Sequence, residues 1–221
     1  MENFADQRTK MVDSQLRTES VTDNRLLAVM GEIARELFVP ADQRLLAYID
    51  RDIPLKEAGP GARAMMEPAP LARLIQALDV GETDRVLVVG AGTGYSAAIL
   101  ARLAASVVAL ESDPALAAQA TRNLAEIDAS NVTIVVGPLE SGHPAGAPYD
   151  VILLDGAIET LPGGLLDQLA DGGRLAAVVG YGRAATATLY TRSGDDIGER
   201  PIFDADVPPL PGFRNPEVFV F

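Results

Sequence analysis

The chain has 221 residues, no cysteine, a single histidine (His143) and a formal net charge of −13. These totals suit one large domain. They exclude thiol nucleophiles, zinc centres built on thiolates or several histidines, and serine–histidine catalysis through any base but His143. So acidic a surface repels phosphate backbones, and the cations are scattered, Lys10 and Lys56 being the only lysines, so no nucleic-acid partner is expected.

Residues 1–10 are polar and carry no secretory pattern. The longest apolar stretch, residues 95–110, is broken by Arg102 and falls short of the roughly 20 residues that span a bilayer. A cytoplasmic protein without membrane contact is expected. The first 50 residues read as helical. One helix opens at Val21-Thr22-Asp23, places Leu26, Leu27, Met30, Ile33, Ala34 and Leu37 at helical spacing, and ends before Pro40. Residues 51–69, with Pro54, Gly59, Pro60, Gly61 and Pro68, read as irregular. A helix follows Pro70, apolar at Leu71, Leu74, Ile75 and Leu78.

From there the pattern alternates. Short, β-branched apolar runs at 86–89, 107–110, 132–136, 151–154 and 175–179 are separated by helices near 95–103, 114–127 and 161–170. Runs of this kind are parallel strands buried on both faces, so an α/β, Rossmann-like doubly wound sheet is expected, with ligands at the carboxyl ends of its strands. Leu189-Tyr190-Thr191 and residues 218–221 read as antiparallel edge strands, joined through Gly194-Asp195-Asp196 and a proline-rich loop at 201–216 that lies over the sheet. The organisation is one domain over residues 1–221. It has an N-terminal helical, substrate-side segment (1–68), a cofactor-binding α/β core (69–180) and C-terminal edge strands with a loop (181–221).

The first strand of the core, Arg85-Val86-Leu87-Val88-Val89, runs into Gly90-Ala91-Gly92-Thr93-Gly94 and then a helix. Glycines there let the backbone turn tightly and approach a ligand. The next strand ends at Leu110 and is followed by Glu111, whose carboxylate is placed to accept hydrogen bonds from both ribose hydroxyls of an adenosine cofactor. A dinucleotide site needs a small residue where Tyr95 stands, and the P-loop ending is absent. The pattern suits an adenosine ligand without phosphates, and S-adenosyl-L-methionine is the cofactor expected.

At this point the chain resembles the protein-L-isoaspartate O-methyltransferases. The resemblance rests on Met11-Val12 with Gln15-Leu16-Arg17, on Arg35-Glu36-Leu37-Phe38-Val39-Pro40, and on Tyr48-Ile49-Asp50 before Ile53-Pro54-Leu55. It continues through residues 86–103 with the uncommon Gly94-Tyr95 pair, through Ala147-Pro148-Tyr149-Asp150-Val151-Ile152, and through Asp171-Gly172-Gly173-Arg174-Leu175. It implies a seven-stranded, mostly parallel methyltransferase sheet and methyl transfer to a carboxylate of damaged protein or peptide. The cofactor-facing set it implies is Val89, Gly90, Ala91, Gly92, Gly94, Tyr95, Glu111, Ser112 and Leu139. On the substrate side it implies Met65, Met66, Glu67 and Pro68. Two departures stand out. Where the family usually carries Thr-Ile-Ser-x-Pro, this chain has Ala64-Met65-Met66-Glu67-Pro68, which removes both hydroxyls and sets an acid beside the proline. Where the family has Gly-Asp-Gly, this chain has Gly137-Pro138-Leu139.

Methyl transfer from a sulfonium to a carboxylate needs alignment rather than a base, because the acceptor, with a reference pKa of about 4, is already ionised. A chain with one histidine and no cysteine suits that reaction, and no metal is expected. Asp155, after the fourth core strand, is the one catalytic candidate, its alternative being an ordinary strand-end turn with Gly156. Glu159 reads as a first-turn helix acid, and His143, between Gly142 and Pro144, as an exposed loop residue. Met65 and Met66 form either an adaptable apolar wall for the acceptor or packing beneath the following helix. Two alternatives stay open: an O-methyltransferase with a different small-molecule or peptide acceptor selected by Glu67, and a non-catalytic binding protein on the same fold.

Overall fold

A computed structural model describes residues 3–56 and 62–214. The described part of the first 50 residues is helical, as expected, but broken into short pieces: α1 (Phe4–Met11) passing into a single π turn, α2 (Asn24–Glu32), and 3-10 turns at Arg35–Leu37 and Ala41–Leu46. Asp23 caps α2 by accepting from the amides of Arg25 at 2.8 Å and Leu26 at 3.2 Å. The helix stops at Glu32 rather than running to Pro40. Beyond it, Arg35 turns into the core, donating to the carbonyls of Ala47 at 2.8 Å and Met66 at 2.7 Å.

Residues 51–69, read as irregular, instead contain β1 (Ile53–Lys56) and β2 (Arg63–Met65), paired antiparallel with Ile53 opposite Met65 and Lys56 opposite Arg63. Pro54 is tolerated because a two-stranded ribbon leaves free edges that need no amide there. Gly59, Pro60 and Gly61, which carried the irregular reading, lie outside the described residues. Helix α3 (Pro68–Leu78) starts two residues before the expected Pro70, since prolines fit the first turn, where no amide donor is required.

Among the described residues the core sheet has seven strands: β3 (Arg85–Val89), β4 (Ser106–Glu111), β5 (Val132–Val136), β6 (Tyr149–Ile158), β7 (Leu169–Val179), β8 (Thr186–Ser193) and β9 (Asp196–Asp204). Their order is β5-β4-β3-β6-β7-β8-β9, parallel from β5 to β7 and antiparallel at β8 and β9. This is the doubly wound, mostly parallel α/β sheet the sequence predicts. Alternation along β3 divides the core in two: Val86 and Val88 join an apolar cluster on one face, Leu87 and Val89 a second cluster on the other. That two-sided burial explains why the strands read as continuous apolar runs. Helices α4 (Tyr95–Ala101) and α5 (Pro114–Glu126) match their expected spans within two residues.

Three expectations need correction. The helix read over 161–170 is one turn, α6 (Gly163–Leu166), because Pro162 and the Gly163-Gly164 pair are poor helix formers, and β7 already begins at Leu169. The stretch from Asp196 to Asp204, read as turn and proline loop, is strand β9, which carries Pro201 at the sheet's edge. Residues 218–221, read as the last strand, lie outside the described residues. The remaining tail pairs backbone to backbone with β6 at the carboxyl end of the sheet: the Ala157 amide donates to the Pro208 carbonyl and the Leu210 amide to the Ala157 carbonyl, both at 2.8 Å. Among the described residues no helix is long and apolar enough to cross a membrane.

Candidate active site

The chain leaves β3 for β4 on one side of the sheet and later returns to place β6 on the other, so a crevice opens beyond the carboxyl end of β3. The glycine turn borders it. Gly90, Gly92 and Gly94 have φ of +86°, +56° and +98°, a region that penalises any side chain, so the turn's shape requires glycine at all three. Three other elements hold it. The amides of Gly90 and Ala91 donate to the Leu110 carbonyl at 2.9 and 3.0 Å. Asn123, on α5, donates to the Thr93 carbonyl at 3.0 Å. The Thr93 hydroxyl donates to the carbonyl of Phe38, tying the turn to the N-terminal segment.

Glu111 ends β4 beside this turn and is fully buried. Its Oε1 accepts from the amides of Ser112 at 2.8 Å and Asp113 at 3.0 Å, and its Oε2 from the amide of Gly92 at 2.7 Å. The backbone therefore fixes the carboxylate toward the crevice, where the sequence predicts an acceptor for a ribose diol. The same carboxylate has a partner within the chain. Arg63 of β2 reaches across, its Nη1 bridging both oxygens at 2.7 and 2.8 Å, and its Nη2 donates to the Gly90 carbonyl at 2.7 Å. The pair is buried, with side-chain exposures of 3% and 0%.

Other side chains close the crevice further. Leu210 from the C-terminal tail sits over Gly90 and Gly156: a Cβ built on Gly90 would stand 2.6 Å from it. Leu55 of β1 covers Gly92 in the same way, at 2.9 Å. What remains between Leu55, Ala64, Met65, residues 90–93, Tyr95 and Asp155 is a cavity of about 10 Å³. Sites for ligands of cofactor size run to about 300–1,000 Å³. The donor and acceptor chemistry fits an adenosine cofactor, with Glu111 for the diol and a backbone that admits close approach at Gly90 and Gly92. In this arrangement Arg63, Leu55 and Leu210 occupy the space beside Gly90 and Gly92. A separate, open hollow of about 480 Å³, lined by Lys56, Arg63, Ser112, Asp113, Pro114 and Pro211, adjoins Arg63 on its outer side.

Asp155 lines the small cavity, but not at a strand end: β6 continues to Ile158 through an irregularity between Leu153 and Ala157, so the simple turn reading is wrong. Burial pushes its carboxyl above the usual range, and the Arg63 and Arg35 cations oppose that shift. Tyr95 borders the same cavity with its ring buried between Phe38, 5.5 Å between centroids, and the Arg35 guanidinium, 4.7 Å from the ring centroid. Burial lowers the Arg35 guanidinium from its ordinary value, and the phenol of Tyr95 is the chief group opposing that.

The two methionines take different roles. Met65 borders the cavity, whereas Met66 is core packing, 1% exposed, with its carbonyl held by Arg35. Glu67 precedes α3 without capping it. Its amide donates to Asp52 Oδ1 at 2.9 Å, and Pro68 fills the first helical turn. Burial raises the carboxyls of both Glu67 and Asp52. The charges of Asp52 and Asp50 raise Glu67 further, while the Glu67 amide and the Arg35 cation oppose the shift of Asp52. Ser112 is exposed in the outer hollow. Leu139 is buried in the apolar cluster that includes Val89, Leu110 and Leu210. His143 lies in the loop before β6, half-buried, with its backbone held by Gln168 and Tyr149, at the amino end of the strands and away from the crevice, so it is no base for this site. Glu159 follows β6 and precedes α6 rather than sitting in its first turn. Sequence reasoning missed Arg63, Asn123, Arg35 as an anchor and Leu210.

A family model described as protein-L-isoaspartate(D-aspartate) O-methyltransferase matches residues 6–202. The chain belongs to the protein-L-isoaspartate(D-aspartate) O-methyltransferase family. Relatives named protein-L-isoaspartate O-methyltransferase include one from Methanoregula boonei, 40% identical over 94% of this chain and 94% of its own, and one from Roseiflexus castenholzii, 38% identical over 95% and 94%. A solved protein-L-isoaspartate O-methyltransferase superposes with a TM-score of 0.80 at 25% identity, covering 93% of this chain and 66% of that longer one. A Plasmodium falciparum structure assigned to the same enzyme type and holding S-adenosyl-L-homocysteine has the same fold, with a TM-score of 0.73 at 19% identity over 95% of this chain. Within the protein-L-isoaspartate O-methyltransferase fold, the departure at Ala64 falls on β2 and that at Met66 on the link between β2 and α3. β2 also carries Arg63 into the crevice.

Proposed function

We propose that this protein is an S-adenosyl-L-methionine-dependent O-methyltransferase of the protein-L-isoaspartate type, acting on a carboxylate of damaged protein or peptide. The observation that carries this reading is the coincidence of the family match with a buried acceptor, Glu111, set by three backbone amides beside a glycine turn at the switch point of the sheet. The cofactor would supply a methyl group already activated on a sulfonium. The residues placed to hold it are Glu111 at the ribose, the backbone of Gly90, Ala91 and Gly92 along its length, and Asp155 at the inner end of the crevice. Ala64 and Met65 face the acceptor side. A carboxylate acceptor with a pKa of about 4 needs no base, so the task of these residues is alignment and exclusion of water, and alignment at near-attack geometry supplies up to about 7–11 kcal/mol of such a barrier.

A second reading is favoured by one observation. Asp50, Asp52 and Glu67 gather beside the segment that would meet the acceptor, and their mutual repulsion opposes a further negative charge. Under that reading the acceptor is a peptide or small molecule with a cation next to the methylated oxygen. One assay separates the two: transfer of labelled methyl groups to an isoaspartyl peptide, with and without a lysine beside the isoaspartate. Base-labile label on both peptides supports the isoaspartyl reading. Label on the lysine-bearing peptide alone supports the second. No label, with cofactor binding intact, overturns both acceptors and leaves a non-catalytic binding protein.

A further inference from the structure

Arg63 makes the same contact that the cofactor's ribose needs. Both oxygens of Glu111 are engaged by one nitrogen, at 2.7 and 2.8 Å, inside a pair almost wholly removed from water. The second nitrogen takes the Gly90 carbonyl, at the point of the turn where a cofactor's backbone contact would lie. This is more than an incidental surface ion pair. A buried, charge-assisted contact of this kind is held strongly once formed, and removing either partner strands the other charge. Its geometry leaves a cavity of about 10 Å³ in the crevice, while about 480 Å³ of open hollow lies on the outer side of Arg63, lined by Lys56, Ser112, Asp113 and Pro114. The arginine thus has a place to withdraw to, beside an Asp113 carboxylate that is shared with Lys56.

We propose that Arg63 sets the cofactor affinity of this chain by occupying, in cis, the ribose seat on Glu111. An adenosine cofactor binds only when the guanidinium leaves Glu111 for the outer hollow. This inference rests on the assignment of the crevice to an adenosine cofactor. The closed form then acts as a competing internal ligand: apparent affinity falls by the fraction of molecules in which Glu111 is free. Arg63 contributes this through binding alone, and takes no part in methyl transfer.

The test is calorimetric titration of the wild-type protein, Arg63→Gln and Arg63→Lys with S-adenosylhomocysteine, with folding followed by circular dichroism and thermal melting. Arg63→Gln, which keeps a hydrogen-bonding group but loses the cationic bridge, is expected to bind about tenfold or more tightly than wild type. Arg63→Lys, which retains a charge beside Glu111 should the glutamine variant fail to fold, is expected to fall between them. In the wild-type protein, side-chain NMR of labelled arginine adds a readout that needs no variant: the Arg63 signal, shielded from exchange while held by Glu111, is expected to lose that protection on addition of S-adenosylhomocysteine. Equal affinities in all three proteins, with the Arg63 signal unchanged by ligand, would overturn the proposal and leave the cofactor assignment standing. Absence of binding by every protein would overturn both.

Discussion

Asn123, near the end of α5, donates its amide to the carbonyl of Thr93 at 3.0 Å, thirty residues earlier, while its own oxygen accepts from Gln119 at 2.7 Å. The helix thereby grips the glycine turn from below with a fully buried bond. Replacement of Asn123 by Ala leaves the Thr93 carbonyl buried and unpaired, a loss of about 1–3 kcal/mol. The expected outcome is a lower midpoint in denaturant with an unchanged slope, together with weaker binding of S-adenosylhomocysteine. A melt indistinguishable from wild type would show that the grip contributes nothing.

Lys56, at the end of β1, reaches Asp113 at 2.6 Å and so fastens the β1–β2 ribbon to the cap of α5. The lysine is about half exposed, so Lys56→Ala should change stability by less than about 1 kcal/mol. If the strap helps hold Arg63 on Glu111, the same change should raise the affinity for S-adenosylhomocysteine by a few-fold. Raising the salt concentration should mimic it in the wild-type protein and leave the variant unaffected.

Arg35 supports the carbonyls of Ala47 and Met66 from a site with no solvent exposure. Arg35→Met keeps much of the volume and removes both bonds, leaving two buried acceptors unsatisfied at about 1–3 kcal/mol each. The measurement is chemical denaturation. A variant as stable as wild type would mean that the two carbonyls find other donors.

The carboxyls of Asp52, Glu67 and Asp155 are all raised, chiefly by burial. A carboxyl raised in the folded state holds its proton more tightly there than in the unfolded chain. Its contribution to stability is therefore fully present below the ordinary carboxylate value and is lost as pH rises through the raised one. Asp113 is lowered by Lys56 and works in the opposite direction, but its lysine partner is about half exposed and the effect is weak. The melting temperature should therefore fall as pH rises above the ordinary carboxylate value of about 4, and Asp52→Asn should flatten that slope. A melting temperature that climbs over the same range would contradict the burial of these acids.

How much of this was legible in the sequence follows from the physics of each part. Strands such as Val86-Leu87-Val88-Val89 are buried on both faces, so composition alone marks them. The turn from Gly90 to Gly94 is marked because only glycine tolerates its backbone angles. Glu111 was legible as a candidate because an acid stands at the end of the strand beside the turn. Strand β9 was not, since its residues are largely exposed and its pairing is decided by the neighbouring β8 rather than by its own pattern. The β1–β2 ribbon was hidden for a related reason: its stability comes from what Leu55 and Arg63 touch across the fold. Arg63 was invisible as a ligand of Glu111 because the two are 48 residues apart and nothing local couples them.

The outer edge formed by β9 has a consequence for the molecule's life in concentrated solution. Asp196, Glu199, Arg200 and Asp204 put charge along nearly its whole length, and Pro201 removes an amide that a passing strand would need. A sheet that ends this way offers a poor template for a strand from another copy. With a net charge of −13 keeping copies apart, this border is shielded from the edge-to-edge stacking that leads to fibrils.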